Sequence, residues 1–156
     1  MQAILAPVPC IHIFHALETC ATYGNVAFGT DAVSFFTDEK RNQVFSAGTV
    51  VLIAASRPEW GHGEFYKNGY ANFRAEFDQW VPADSHGKHS NLRLRPPSTV
   101  GDGPFFGFWE VKGLHALSNP IPLKKLFADG TDHPIKKLPP RRYSAGDALS
   151  RLGAAA

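Results

Sequence analysis

Apolar positions along this chain come in short runs that glycine and proline repeatedly interrupt, a pattern of short strands and turns rather than long helices. The densest run is Phe105 to Leu126, FFGFWEVKGLHALSNPIPLKKL, which places four aromatics in its first five positions. In an extended chain Phe106, Phe108, Glu110 and Lys112 share one face, and Phe105, Trp109 and Val111 the other. A strand with aromatics on both faces belongs in the middle of a curved sheet or small barrel. Gly107 marks a bulge or a close backbone approach, and NPIPLKKL reads as a turn.

The remaining elements are expected around that spine. CIHIFH, Cys10 to His15, reads as a short apolar strand. In ALETCATYG, Leu17, Cys20 and Ala21 fall at helical spacing, and Gly24 supplies a stop, so a short helix is expected from Ala16 to Tyr23. NVAFGT, Asn25 to Thr30, is a loop or short strand, and Asp31 to Arg41 a turn or short helix. After Gly48, TVVLIAAS is a β-branched run that reads as a buried strand. RPEWGHGEFYKNGY is a turn-rich loop. YANFRAEF, Tyr70 to Phe77, alternates as a strand that DQWVPAD breaks at Pro82. Residues 85–103 offer as core material only Leu92, Leu94 and Val100, and read as a long, mobile, basic loop. The last stretch, Ser144 to Leu152, reads as a short capped helix. The order predicts an α+β fold with a small curved mixed sheet or open β-barrel and a few short helices.

Composition narrows this picture. With 156 residues and 44% hydrophobic positions, the chain reads as one domain, residues 1–156, that buries roughly 70% of its unfolded surface. It has no run of eighteen apolar residues and no basic leader ahead of an apolar segment, which predicts no membrane association and a cytoplasmic location. Cys10 and Cys20 are its only thiols and are expected to be reduced. The net charge of +2 conceals an asymmetry: residues 1–85 carry five Lys/Arg against nine Asp/Glu, and residues 86–156 carry eleven against five. A basic half of this kind suits a polyanion, or simply a solvated surface.

Candidate chemistry is sparse. The groupings of His12 with His15, and of His86 with His89, lack partners at metal-ligand spacing, so neither a metal nor another cofactor is expected. His86 and His89 are expected to be solvent-exposed. No GxSxG, HExxH or P-loop occurs, and the two cysteines sit on apolar segments where inert burial is the rule. Asp78, Glu76, Glu64 and Glu110 with Lys112 could serve a nuclease, though their spacing is not diagnostic. The aromatics say more. Trp60, Trp80 and Trp109, with Phe28, Phe73 and Phe106, exceed what such a core needs. Trp80, at a strand end, could stack on a base or enclose a methyl group.

The order YGNVAF, GTVVLIAAS, GYANFRAEF, DQWVPAD, FGFWEVKGL, IPL and HPIKKLPPRR resembles that of the YTH domain and its EVE and DCD relatives in the PUA-like superfamily, over nearly the whole chain from Cys10 to Leu152. The corresponding family features are a YNVW motif after the first helix, an apolar central strand, a WV-P segment, a GxFxVxWI strand with an L-PF turn, and a basic KPV-x-RDGQEI tail. The resemblance implies an aromatic cage around a modified base beside a basic groove. Trp80 matches the WV-P tryptophan. Phe28 is the aromatic nearest the YNVW tryptophan, with Ala27 at the strictly aligned place, and the polar residues of the family's first helix have no counterpart in HALETC. Arg141 or Arg142 falls where the family contacts phosphate, flanked by Lys136 and Lys137.

The expectation is therefore a non-enzymatic module that binds RNA or DNA, single-stranded or with a flipped base, and takes a modified, methylated base or a flipped one into an aromatic pocket. Phe28 and Trp80 would stack on it, Tyr66, Tyr70 or Trp109 would complete the wall, and a nuclease or helicase could be a partner. The alternatives are a nucleic-acid or nucleotide hydrolase using Asp78, Glu110, Lys112 or a loop histidine, and a protein-interaction domain.

Overall fold

A computed structural model describes residues 3–30, 47–126 and 143–144. The elements expected at 31–41 and beyond Ser144, together with Lys136, Lys137, Arg141 and Arg142, lie outside the described residues. The chain forms β1 (Ala3–Pro9), α1 (Cys10–Tyr23), β2 (Asn25–Thr30), β3 (Val50–Ser56), β4 (Tyr70–Pro82), β5 (Gly107–Pro122) and the two-residue β6 (Tyr143–Ser144). Hydrogen bonding orders them β2-β5-β4-β3-β1-β6. β1 runs parallel to β3, and β2 antiparallel to β5. The fold is α+β on a mixed sheet, and among the described residues the end strands β2 and β6 do not pair to close it.

The described residues form two compact units. The first contains residues 3–11, 50–75, 115–126 and 143–144, and the second residues 12–30, 47–49 and 76–114. In the first, β1 and β3 are paired from Ala3↔Val50 to Pro9↔Ser56. A parallel pair needs a long crossover, here supplied by residues 10–49. The β3 run VVLIAAS is buried from Val50 to Ala55, as its unbroken apolar pattern predicts. Ala3, Leu5, Val50, Leu52, Ala54, Ala71, Leu117, Ile121, Leu123 and Leu126 make one aliphatic core.

Several boundaries move. CIHIFH is not a strand: β1 precedes it, and the helix already begins at Cys10. The alternation of Ile and His imitates a strand, yet Cys10, Ile13, Ala16, Thr19 and Cys20 are the buried positions, at helical spacing. Pro7 and Pro9 disguise β1. Among the described residues β6 pairs only with Ile4 and Leu5, so both prolines lie beyond it, where a missing N–H costs no ladder bond on that side. Gly24 ends α1 as expected, with φ 84° and its N–H donating to the Cys20 carbonyl at 2.8 Å. β4 continues through Asp78 and Trp80 to Pro82, and buries Ala71, Phe73, Ala75 and Phe77 in strict alternation. β5 runs on to Pro122 before a 3-10 turn at Leu123–Lys125. In β5 Gly113 takes the left-handed conformation, at φ 66°. Ser144 lies in β6, and the rest of the helix expected from it to Leu152 falls outside the described residues.

Candidate functional site

The expected base-binding residues separate into two groups. Phe28 and Trp109 face each other directly across the β2–β5 ladder, and cross-strand partners of this kind pack together. Their ring centroids are 4.7 Å apart with planes at 34°, and they are only 5% and 4% exposed. The two rings therefore fill the space between them. Trp80, in the same unit on β4, is half-buried. Tyr66 and Tyr70 belong to the first unit.

Within the second unit, residues 83–106 join β4 to β5, and contrary to the sequence reading they contribute to the interior. His86 is exposed, but His89 is buried, as are Arg95 and Thr99. The Asn91 N–H donates to His89 Nδ1 at 2.8 Å, so the ring proton sits on Nε2 and points to Glu110 Oε2 at 3.1 Å. Glu110 is thus a buried structural partner and not an open carboxylate. Lys112 is exposed, and Asp78 accepts from Asn25 Nδ2 at 3.0 Å. Asp78 thus bonds to the β2 residue whose ladder partner is Lys112, whereas Glu110 is taken up by His89 in the interior. Among the described residues no group of three His, Cys, Asp or Glu could hold a metal ion.

Arg95 is the second anchor. Its guanidinium donates to the Ala27 carbonyl at 2.7 Å and to that of Thr99 at 3.4 Å. It lies over the rings of Phe105 and Phe108, at 5.1 and 5.0 Å. Burial lowers its pKa to about 10 against the opposing pull of Asp102, which leaves it charged at neutral pH. Phe105 in turn lies flat on Gly29, where a Cβ would meet the ring at 2.7 Å. A third set of contacts reaches α1: His12 Nδ1 is 2.8 Å from Ser98 Oγ, and His12 Nε2 is 3.5 Å from Asp102 Oδ2. Sequence spacing could not reveal these partners. His12 and Ser98 are 86 positions apart, and Arg95 and Ala27 are 68.

The first unit carries a different surface in the loop between β3 and β4. Two 3-10 turns, Pro58–Trp60 and Gly63–Phe65, each follow a non-glycine residue in the left-handed region, Arg57 at φ 52° and His62 at φ 58°. Conformations of this kind persist where surrounding contacts hold them. Here Asn72 on β4 donates to the Phe65 carbonyl and accepts from the Ala55 N–H, and Phe65 packs edge-on against Phe73 at 5.6 Å. The loop so held presents Trp60 and Tyr66 at 54% and 41% exposure. The Arg57 guanidinium lies 5.4 Å from the Trp60 ring centre, and Lys67 Nζ 4.2 Å from that of Tyr70. Glu59 lies 3.8 Å from Arg57, and Glu64 lies 3.1 Å from His62. Flat, wet rings interleaved with cations can accept a planar partner, while the acids keep the local charge near balance.

Cys10 and Cys20 are free and buried, and burial raises the Cys10 pKa, as inert thiols require. No described helix is long and apolar enough to cross a membrane. No protein-family model matches this chain, and no curated protein matches it in sequence.

Proposed function

We propose that this chain is a nucleic-acid-binding module that receives unpaired bases on exposed aromatic rings. The observation that carries the reading is the loop of the first unit, in which Trp60 and Tyr66 are exposed on a held backbone beside Arg57 and Lys67. Every base has a π-face, so such rings bind single strands with little sequence preference, at about 1–3 kcal/mol per stacked base. Glu59 and Glu64 offset the loop's cations, so phosphate attraction falls to the basic half of the chain, with Lys136, Lys137, Arg141 and Arg142 in that role.

The finer fold reading, a PUA-like domain of the YTH and EVE kind, belongs to the same proposal. The α+β mixed sheet and the order of motifs along the sequence support it. Within that reading a modified base would be sensed at Trp80, since Phe28 and Trp109 already occupy each other.

The test is a fluorescence titration of the full chain with short single-stranded RNA and DNA, modified and unmodified, at two salt concentrations. Trp60→Ala is expected to weaken binding to every strand by roughly tenfold or more, in line with one lost stack. Trp80→Ala is expected to remove only the preference for a modified strand. Binding that is absent in the wild type, or unchanged in a Trp60→Ala/Tyr66→Ala double variant, would overturn the proposal.

A further inference from the structure

We propose that Ser98, His12 and Asp102 form a second, catalytic site, at which Ser98 acts as the nucleophile toward a small carboxylic ester. Ser98 Oγ is 2.8 Å from His12 Nδ1, and Asp102 Oδ2 is 3.5 Å from Nε2 of the same ring. In the tautomer whose proton is on Nε2, toward the carboxylate, Nδ1 carries the lone pair and accepts from the serine hydroxyl. A nucleophile in reach of a base, and a base oriented by a third group, is the general requirement for an activated serine.

Each member rests on fixed backbone. Ser98 is the middle residue of the 3-10 turn Pro97–Thr99. That turn is secured by the buried Thr99, whose hydroxyl donates to the Pro96 carbonyl at 2.7 Å, and by Arg95 on the Thr99 carbonyl. The Asp102 N–H donates to the Thr99 carbonyl at 2.9 Å, and Lys88 Nζ donates to the Asp102 carbonyl at 2.8 Å. His12 lies on α1 next to the fully buried Ile13. Held geometry of this kind lowers the cost of reaching a productive arrangement. The site is also accessible: Ser98 is half-buried and the Asp102 side chain is 51% exposed.

The base is in the right state near neutrality. Burial holds the His12 pKa below the ordinary imidazole value, Asp102 pulls upward, and Arg95 and His15 add to the lowering. In the first step Ser98 Oγ bonds to the ester carbonyl carbon and its proton passes to His12 Nδ1. The tetrahedral adduct then breaks its C–O bond, and the alcohol departs with that proton. Water, deprotonated by His12, releases the carboxylic acid and restores Ser98.

The experiment treats the full chain with p-nitrophenyl acetate, followed by intact mass and peptide mapping, and in parallel with a fluorophosphonate probe. One acetyl group or one phosphonyl group on Ser98 is expected, and neither in Ser98→Ala. His12→Gln, with its fold checked by circular dichroism, is expected to lower the acylation rate by at least about a hundredfold, and Asp102→Asn by a smaller factor. The wild-type rate should rise with pH through one ionisation below 6.5 that His12→Gln abolishes, and added imidazole should partly restore His12→Ala. Labelling spread over lysines, or a Ser98 rate that is the same in His12→Gln, would overturn the proposal.

Discussion

The two units bury their interiors by different means. Among its described residues the first buries apolar side chains alone: Leu5, Leu52, Leu117, Ile121 and Leu126 close around a parallel strand pair whose sequence is nearly continuous apolar residues, and Phe73 is buried in the same unit. The second packs Val26, Phe28, Phe108, Trp109 and Val111, but it also buries His89, Arg95, Thr99 and Glu110 from the segment and strand around them. Apolar packing is nondirectional and tolerates adjustment, whereas a buried polar network is favourable only while every member keeps its partner. The first unit should therefore lose stability in proportion to volume removed, and the second in proportion to partners removed.

The largest effect is expected at His89. Replacing it with Leu leaves the Glu110 carboxylate buried without its donor and the Asn91 N–H without its acceptor, a loss of about 3–5 kcal/mol. Because the cost comes from the orphaned partner, His89→Leu/Glu110→Leu should regain most of it. Leu52→Ala in the first unit should cost about 2–5 kcal/mol through its cavity, and no second polar-to-apolar change should rescue it. Urea denaturation of the four proteins measures this. A double variant as unstable as His89→Leu alone would remove the distinction between the units.

A smaller effect separates two glycines. Gly87 in the second unit has φ 74°, and a Cβ there would overlap Pro104 Cβ and come within 2.7 Å of Pro104 Cα. Gly87→Ala is expected to cost about 1–3 kcal/mol from overpacking, with the left-handed backbone adding to it. Gly63 in the first unit has its nearest neighbour at 3.4 Å, with no left-handed φ, and Gly63→Ala should stay within about 0.5 kcal/mol of wild type. Equal melting temperatures for the two variants would mean that the corner at Gly87 yields easily.

The same contrast explains what the sequence discloses. The β3 run, the alternation of β4 and the Gly24 stop are local patterns, and each was legible because burial there follows side-chain period. The β1–α1 boundary misled because CIHIFH satisfies a strand pattern over six residues while its helical burial emerges only over eleven. The second unit's polar interior was illegible for another reason. His89 with Glu110, Arg95 with the Ala27 carbonyl, and His12 with Ser98 are joined by tertiary folding across 21, 68 and 86 positions. A segment rich in Ser, Arg, His and Pro looks like a solvated loop until its partners are in place. For the surface site, Trp60 and Tyr66 stood out as aromatics in a turn-rich loop, but which aromatics share a unit does not follow from order along the chain.

The smallest effect is a pH dependence that sets in just below 6.5 and is confined to the second unit. His12 has its pKa lowered chiefly by burial, with Asp102 opposing and Arg95 and His15 adding to the shift, so below its unfolded value of 6.5 the unfolded chain binds the proton more readily than the folded one. Stability then rises with pH across that window: the contribution of neutral His12 is fully present above 6.5 and is lost as pH falls through the folded value. Asp84 and Glu64, lowered from 3.8 and 4.5 mainly by hydrogen bonds from backbone N–H groups, act only further down, each being lost as pH falls through its own folded value. Subtracting the His12→Gln stability curve from that of wild type should leave a step that begins just below pH 6.5. Amide exchange should place the associated loss of protection on the segment that carries Ser98 and Asp102, with the β1–β3 amides unchanged. A step of the opposite sign would mean that Asp102 outweighs burial at His12, and loss of protection spread evenly over β1 and β3 would mean that the two interiors open together.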